Sequence, residues 1–478
     1  MKERNKPIDK FKVLEFEEKI KIYRKAALNN DSLHDIKPSS DELEEIIDFC
    51  IDTERNRDAM TLCVLWVSLE PSNPDAWFKK GVIFYNLNAY DKAVASFNKT
   101  LSLNPYDVDA YVHKGLTYSQ IGLAKLALRN INKAISMDPD NSEVLFNKGM
   151  IYQNLIDYKR AVIIFKKLRD DDEFRKDAYQ EIAFCYHYES KFNLAIKYYD
   201  LAIEEEPFDN FLWYNKALIL NEIARYNESL DCLDMSLALN EDFFLSYHNK
   251  GIILARLGRL NEAIESFGEA LGVEPGDVDT LYNLASVYGD LGNYNEAIVY
   301  FSKAIKINAR HYLSYFGRGV CYDALEQFEF AMKDYDSALR INQEYSDLWY
   351  AKADLLYNYN KHNEAIKCYK RALEIEPTNL DCLFDYGSTL MEIDNLSDAK
   401  QTFSRIIELA PGWSEGHYSL AKLYAKLEDF PQSIEFLQTA INLDPNKKKD
   451  FIDEFPKLLP NRDFGTFRDA IDKGPIRK

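Results

Sequence analysis

Residues 346–379 read SDLWYAKADLLYNYNKHNEAIKCYKRALEIEPTN, and the spacing of their apolar residues decides the fold. Trp349, Ala353 and Leu356 fall on one side of a 3.6-residue spiral, and Ala365, Tyr369 and Ala372 do so again after a short break. Pro377 ends the second run, because proline lacks an N–H and disfavours helix in the residue before it. The stretch therefore predicts a helical hairpin. Two charges in its first helix, Lys352 and Asp354, stand two residues apart, so about 200° separates them around the axis and they point to different sides. They are not a catalytic pair.

The hairpin repeats with a period of 34. Pro71, Pro105, Pro139, Pro207, Pro275, Pro377, Pro411 and Pro445 are separated by multiples of 34, and the first and last stand 11 × 34 residues apart with no insertion between. With proline as position thirty-two, twelve units begin at Ser40, Pro74, Val108, Ser142, Lys176, Asn210, Phe244, Val278, Tyr312, Ser346, Leu380 and Ser414. Position four is large in every unit, from Leu43 and Trp77 to Trp349 and His417. Position eight is mostly Gly or Ala, and position twenty mostly Ala or Ser. Small residues at eight and twenty let two helices approach closely, while large ones such as Trp77, Phe84 and Phe97 fill the space around the contact. Gly122, Gly258 and Gly292, all at position fifteen, suit the turn between the helices.

This pattern resembles the tetratricopeptide repeat family, most closely over residues 74–447. The resemblance implies an all-α fold, a right-handed superhelix (α-solenoid) of helix-turn-helix repeats whose concave surface is lined by the first helices, and a role in binding peptides or proteins. Ankyrin repeats would carry a TPLHxA-like turn that is absent, and the RNA-reading pentatricopeptide repeats are normally basic. Three segments are expected: a 1–39 extension with a capping helix, the 40–447 array with 40–73 as a degenerate first repeat, and a 448–478 capping segment. The first repeat departs most, with Ile47 at position eight and Cys50 and Cys63 at eleven and twenty-four, read as buried reduced thiols facing each other across one hairpin.

Composition agrees with a helical, water-facing chain. Its 478 residues are 46% hydrophobic, with 18 Gly and 15 Pro, too few for the many tight turns of an all-β protein. A formal charge of -19 opposes attraction to nucleic acid and to anionic membranes, so neither is an expected partner. No apolar run suits a secretory signal or a membrane span, and the reading is cytoplasmic. Seven cysteines without a CxxC pair argue against a disulfide framework and against a zinc knuckle.

At the ends, Phe16, Ile20, Tyr23 and Ala27 share one face of a helix over 14–28, SSDE at 39–42 resembles a capping box, and two apolar stripes (Phe451, Phe455, Leu458; Phe464, Phe467, Ile471) are expected to fold over the last hairpin or to dock elsewhere. RDDDEF at 169–174 puts three aspartates at a helix C-terminus, where they oppose its dipole and predict a frayed or bent joint. A solvated acidic turn is preferred there to a metal loop, since no glycine or further ligand completes one.

No nucleotide, zinc-protease or serine-hydrolase motif occurs, and the histidines fall at unrelated positions, so the chain is read as non-enzymatic, without catalytic, cofactor or metal sites. Positions two, five, nine, twelve and thirteen face away from the hairpin contact and form a repeating free surface. Position nine is apolar in seven units and becomes Asp354 in the tenth. Around it the groove of units eight to eleven is predicted to carry Asp290, Asp323, Asp347, Asp381 and Glu392 among Tyr282, Phe316, Tyr350, Tyr357 and Phe384. Acids and rings together suit a protein or peptide with basic and apolar residues, through charge-assisted hydrogen bonds and cation–π contact. The family's chaperone-binding members hold a terminal carboxylate with Lys at five and Asn at nine; no unit has either, which disfavours chaperone tails. The alternative reading is an assembly protein that self-associates through its ends or its groove.

Overall fold

The computed structural model describes residues 10–28 and 38–455, and among these every regular element is helical. The chain forms two compact units, Met1–Glu241 and Asp242–Lys478. In the first, α1 (Lys10–Leu28) precedes six helical hairpins, α2 (Ser40–Asp52) with α3 (Asn56–Leu69) through α12 (Asn210–Glu222) with α13 (Tyr226–Leu239). In the second, six more run from α14 (Phe244–Arg256) and α15 (Leu260–Val273) to α24 (Ser414–Lys426) and α25 (Phe430–Leu443), followed by the short α26 (Lys447–Glu454). No helix among the described residues is long and apolar enough to cross a membrane.

Each 34-residue window builds its hairpin in the same way. An Asn or Asp before the first helix often caps it, as Asn379 does by accepting from the Cys382 N–H at 3.0 Å. After that helix, the position-fifteen residue adopts a left-handed backbone. In the tenth window Asn360 has φ 59°, its N–H reaches the Tyr357 carbonyl at 2.8 Å, and the Lys361 N–H reaches that of Leu356 at 2.9 Å. This pair of bonds closes the helix and aims the chain back along it. The conformation recurs at 34-residue intervals from Glu54 to Glu428, with glycine only at 122, 258 and 292. The glycine signal was thus a subset of the turn signal.

Between the helices, the ring at position twenty-four lies over position eight. A Cβ added to Gly387 would stand 2.5 Å from a Phe403 ring carbon, and Gly81, Gly149, Gly251 and Gly319 meet the rings of Phe97, Phe165, Phe267 and Tyr335 in the same way. In four windows the position-four residue is hydrogen-bonded to the end of the window before. The indole N–H of Trp77, Trp213 and Trp349 donates to the carbonyl of Pro71, Pro207 and Gln343 at 2.9–3.0 Å, and His417 Nε2 takes the same place on Pro411 at 2.9 Å.

The irregular places behave as their charges demand. In the fourth window α9 (Tyr158–Phe165) gives way to a 3-10 turn at Lys166–Leu168, and α10 starts at Arg175. Asp171 Oδ1 accepts from the N–H groups of Glu173 and Phe174 in the turn before α10, and Asp172 pairs with Arg175. At the N-terminal end α1 begins four residues before the helix expected over 14–28, and Phe16, Ile20 and Tyr23 are buried on the first hairpin. Ser39 Oγ accepts from the Glu42 N–H at 3.2 Å while Glu42 bonds back to Ser39, completing the capping box. Cys50 and Cys63 are both buried in this core, and burial pushes their thiols up to about 11 and about 12. The Cys63 thiol donates to the Ala76 carbonyl of the next window at 3.3 Å. At the other end Phe451 and Phe455 pack with the last hairpin. Ala27's side chain, Leu458, Phe464, Phe467 and Ile471 lie outside the described residues.

Candidate acidic cavity

Three first helices of the second unit, α18 (Tyr312–Ala324), α20 (Ser346–Asn358) and α22 (Leu380–Glu392), present one aspartate each to a common side: Asp323, Asp354 and Asp385. They occupy positions twelve, nine and six of successive windows, so the acids step back by almost one helical turn per hairpin. Asp354, Asp385, Tyr357, Tyr369, Phe384, Ser388 and Thr389, with Asn358, line a cavity of about 350 Å³.

The carboxylates are held by phenols. Tyr369 Oη donates to Asp354 Oδ1 at 2.7 Å, Tyr350 Oη to Asp385 Oδ2 at 2.6 Å, and Tyr357 Oη to Glu392 Oε1 at 2.7 Å. Burial raises the Asp354 carboxyl to about 6, and the charges of Asp385 and Asp323 add to this against the Tyr369 bond. Asp385 is raised by burial and by Asp381, and Asp323 by burial alone. Among the described residues, no Lys, Arg or His acts on any of the three. The cavity is therefore a concentration of negative charge whose hydrogen-bond partners are neutral.

The residues expected from the sequence separate into groups. Asp354, Tyr357 and Phe384 line the cavity, Tyr350 supports it through Asp385, and Glu392 stands at its edge with His362 Nδ1 at 4.0 Å. Asp381 is exposed and adds to the potential at Asp385. Asp323 is half-buried. Asp347 is exposed beside Tyr345, whose phenol it raises to about 12 after the effect of burial. The position-five rings Tyr282, Phe316, Tyr350 and Phe384 are not a free ladder, because each is half-buried against a position-twenty-four ring or the last residue of its own window. Tyr282 meets Phe301 at 5.8 Å and His311 at 5.4 Å, and Phe316 meets Tyr335 at 6.1 Å and Tyr345 at 5.9 Å. Asp290 is exposed at the end of α16 (Val278–Asp290), outside the cavity.

Sequence reasoning missed Asp385 and Tyr369. Asp385 sits at position six, where four other windows carry Asn, so an acid there was visible but not weighed. Tyr369 differs from the Phe403 of the next window by one hydroxyl, which a hydrophobic pattern does not register.

On the other side of α20, Lys352 does not end in water. Its Nζ donates to Asp336 Oδ1 of the preceding hairpin at 2.6 Å and lies over the Trp349 ring. Lys216 with Asp200 and Lys148 with Asn132 repeat the tie, so position seven links adjacent hairpins.

Profiles described as tetratricopeptide repeat match residues 74–107, 108–141, 130–162, 176–209, 245–277, 278–311, 359–423 and 414–447, more than half of the chain. The chain belongs to the tetratricopeptide repeat family. Solved structures similar to this repeat protein include YrrB, described as a TPR protein with an unusual peptide-binding site, at 25% identity over 38% of this chain and 94% of that one, with a TM-score of 0.35. MamA is similar at 21% identity over 35% and 92% (TM-score 0.33), and yeast Tom70 at 17% over 77% and 92% (TM-score 0.39). A search of curated proteins gives no match.

Proposed function

We propose that this repeat protein is a non-enzymatic interaction scaffold and that the cavity between α20 and α22 receives a basic side chain of a peptide or protein partner. The observation that carries the reading is that, among the described residues, the side chains of Asp354 and Asp385 pair only with phenols, in a cavity walled by Phe384 and Tyr357. Two half-buried carboxylates without a cation disfavour each other's charge, and an incoming ammonium or guanidinium relieves that cost while bonding to the oxygens the phenols leave open. The rings add apolar and cation–π contact to its stem. A docked peptide would place its apolar residues against Phe384 and its neighbours.

The test uses a labelled acetyl-KFRFK-amide probe and its acetyl-EFEFE-amide counterpart, titrated against the full chain by fluorescence anisotropy. The basic probe is expected to bind at least tenfold more tightly than the acidic one. Equal affinity for the two would overturn the reading.

A further inference from the structure

The last window shows how the chain covers its own groove positions. Helix α26 lies on α24, where Lys447 Nζ pairs with Glu415 Oε1 at 2.5 Å, the Phe451 ring meets Tyr418 edge-on at 6.3 Å, and Glu454 pairs with Lys422 Nζ at 3.1 Å. Glu415, Tyr418 and Lys422 are positions two, five and nine of their window. In the windows before, those positions are Asp381, Phe384 and Ser388, then Asp347, Tyr350 and Asp354. A lysine on the acid at position two and a phenylalanine on the ring at position five are thus a recognition scheme the chain already uses once.

The chain beyond α26 repeats that chemistry. Residues 456–478, which lie outside the described residues, carry Lys457, Arg462, Arg468, Lys473, Arg477 and Lys478 against Asp463, Asp469 and Asp472, a net +3 in a chain of -19. Phe464 and Phe467 sit among these cations. The 23 residues of this segment can span on the order of 75 Å when extended. The cavity lies one and two first helices away from α24, and packed helices are about 10 Å apart. Reach is not limiting, and charge favours the encounter.

We infer that the 456–478 segment folds back within the same chain and occupies the acidic cavity at Asp354 and Asp385, so that an outside partner must displace it. The inference rests on the scaffold reading above and adds an occupant to it. Held by its connection to α26, the segment acts at a high effective concentration, so contacts that would be weak between separate molecules suffice.

The experiment compares two full-length chains, wild type and a tail variant carrying Arg462→Glu, Phe464→Ala, Phe467→Ala and Arg468→Glu. A labelled synthetic peptide of residues 456–478 is titrated against each. The peptide is expected to bind the tail variant at least tenfold more tightly than wild type, and to lose that binding when Asp354→Asn and Asp385→Asn are added. Unchanged circular dichroism melts verify that all chains are folded. Equal affinity for wild type and tail variant, or no binding to either, overturns the inference. A wild-type chain that dimerises in sedimentation, and is returned to monomer by the tail substitutions, also overturns it by placing the segment on a second copy. The acetyl-KFRFK-amide probe separates the two readings. If that probe binds the tail variant and the 456–478 peptide does not, the occupant is wrong and the scaffold reading stands; if neither binds, both fall.

Discussion

The two sides of α20 carry the same kinds of residue and use them differently. On one side Lys352, Asp336 and Trp349 form a closed set: the cation has its acid, its ammonium lies over the indole, and equivalents recur in other windows. On the other side Asp354 and Asp385 have acids for neighbours and phenols for partners. A charge that recurs with a matched partner belongs to the scaffold. Asp354 and Asp385 are partly buried and, among the described residues, have no counter-ion.

The comparison breaks most readily on binding. Asp354→Asn with Asp385→Asn keeps acceptors for both phenols but removes both charges. Affinity for the acetyl-KFRFK-amide probe is expected to fall about hundredfold, since each charge-assisted bond contributes about 1.5 kcal/mol or more. Lys352→Met, on the far side, should leave that affinity within twofold. If both variants weaken binding equally, the two sides are not functionally distinct.

Stability sharpens the same contrast. Gly387→Ala places a methyl where the Phe403 ring stands, and overpacking of this kind costs about 1–3 kcal/mol in urea unfolding. The Asp→Asn pair should cost much less, or stabilise, because it removes unfavourable buried charge. Next comes pH. Asp354 titrates near 6, so it is charged above that value and neutral below it. Probe affinity should drop about tenfold between pH 7.5 and 5, with Asp385 and Asp323 contributing in the same sense. The folded state binds this proton more tightly than the unfolded chain does, so the Asp354 contribution to stability is present below about pH 4 and lost as pH rises through 6. Asp354→Asn should flatten both profiles, and a wild-type profile with no inflection near 6 would exclude Asp354 as the titrating group. The smallest effect is Lys352→Met on stability. A partly exposed ion pair contributes no more than about 1 kcal/mol, and its loss should shift the urea midpoint only slightly.

Most of the fold was legible because each hairpin needs the same few sizes at the same places. Small residues at eight and twenty and large ones at four are requirements of close helix contact, and they survive wherever Pro at thirty-two is missing. The joint at 169–174 was legible from charge against a helix dipole. The cavity was legible only in part. Asp354 stood out because it interrupts an apolar series, but Asp385 lies at a position that is polar in most windows, and the Tyr369 hydroxyl is one atom on an expected ring. The partner of Lys352 was hidden for another reason: it belongs to the neighbouring hairpin, and one window's periodicity says nothing about which residue of the next it meets.

The left-handed residue at position fifteen has a consequence for how the chain can change. At nine of these places the residue is not glycine, and one is Ile156, a β-branched residue at φ 60°. The turn is therefore imposed by two backbone hydrogen bonds rather than by a permissive residue. Such a turn tolerates almost any side chain and no change of length. One added residue in a first helix would rotate everything after it by about 100°, carrying position nine off the groove and position eight off its ring. Letters can drift while the count cannot, and Asp354 keeps its address only because 34 is never 33 or 35.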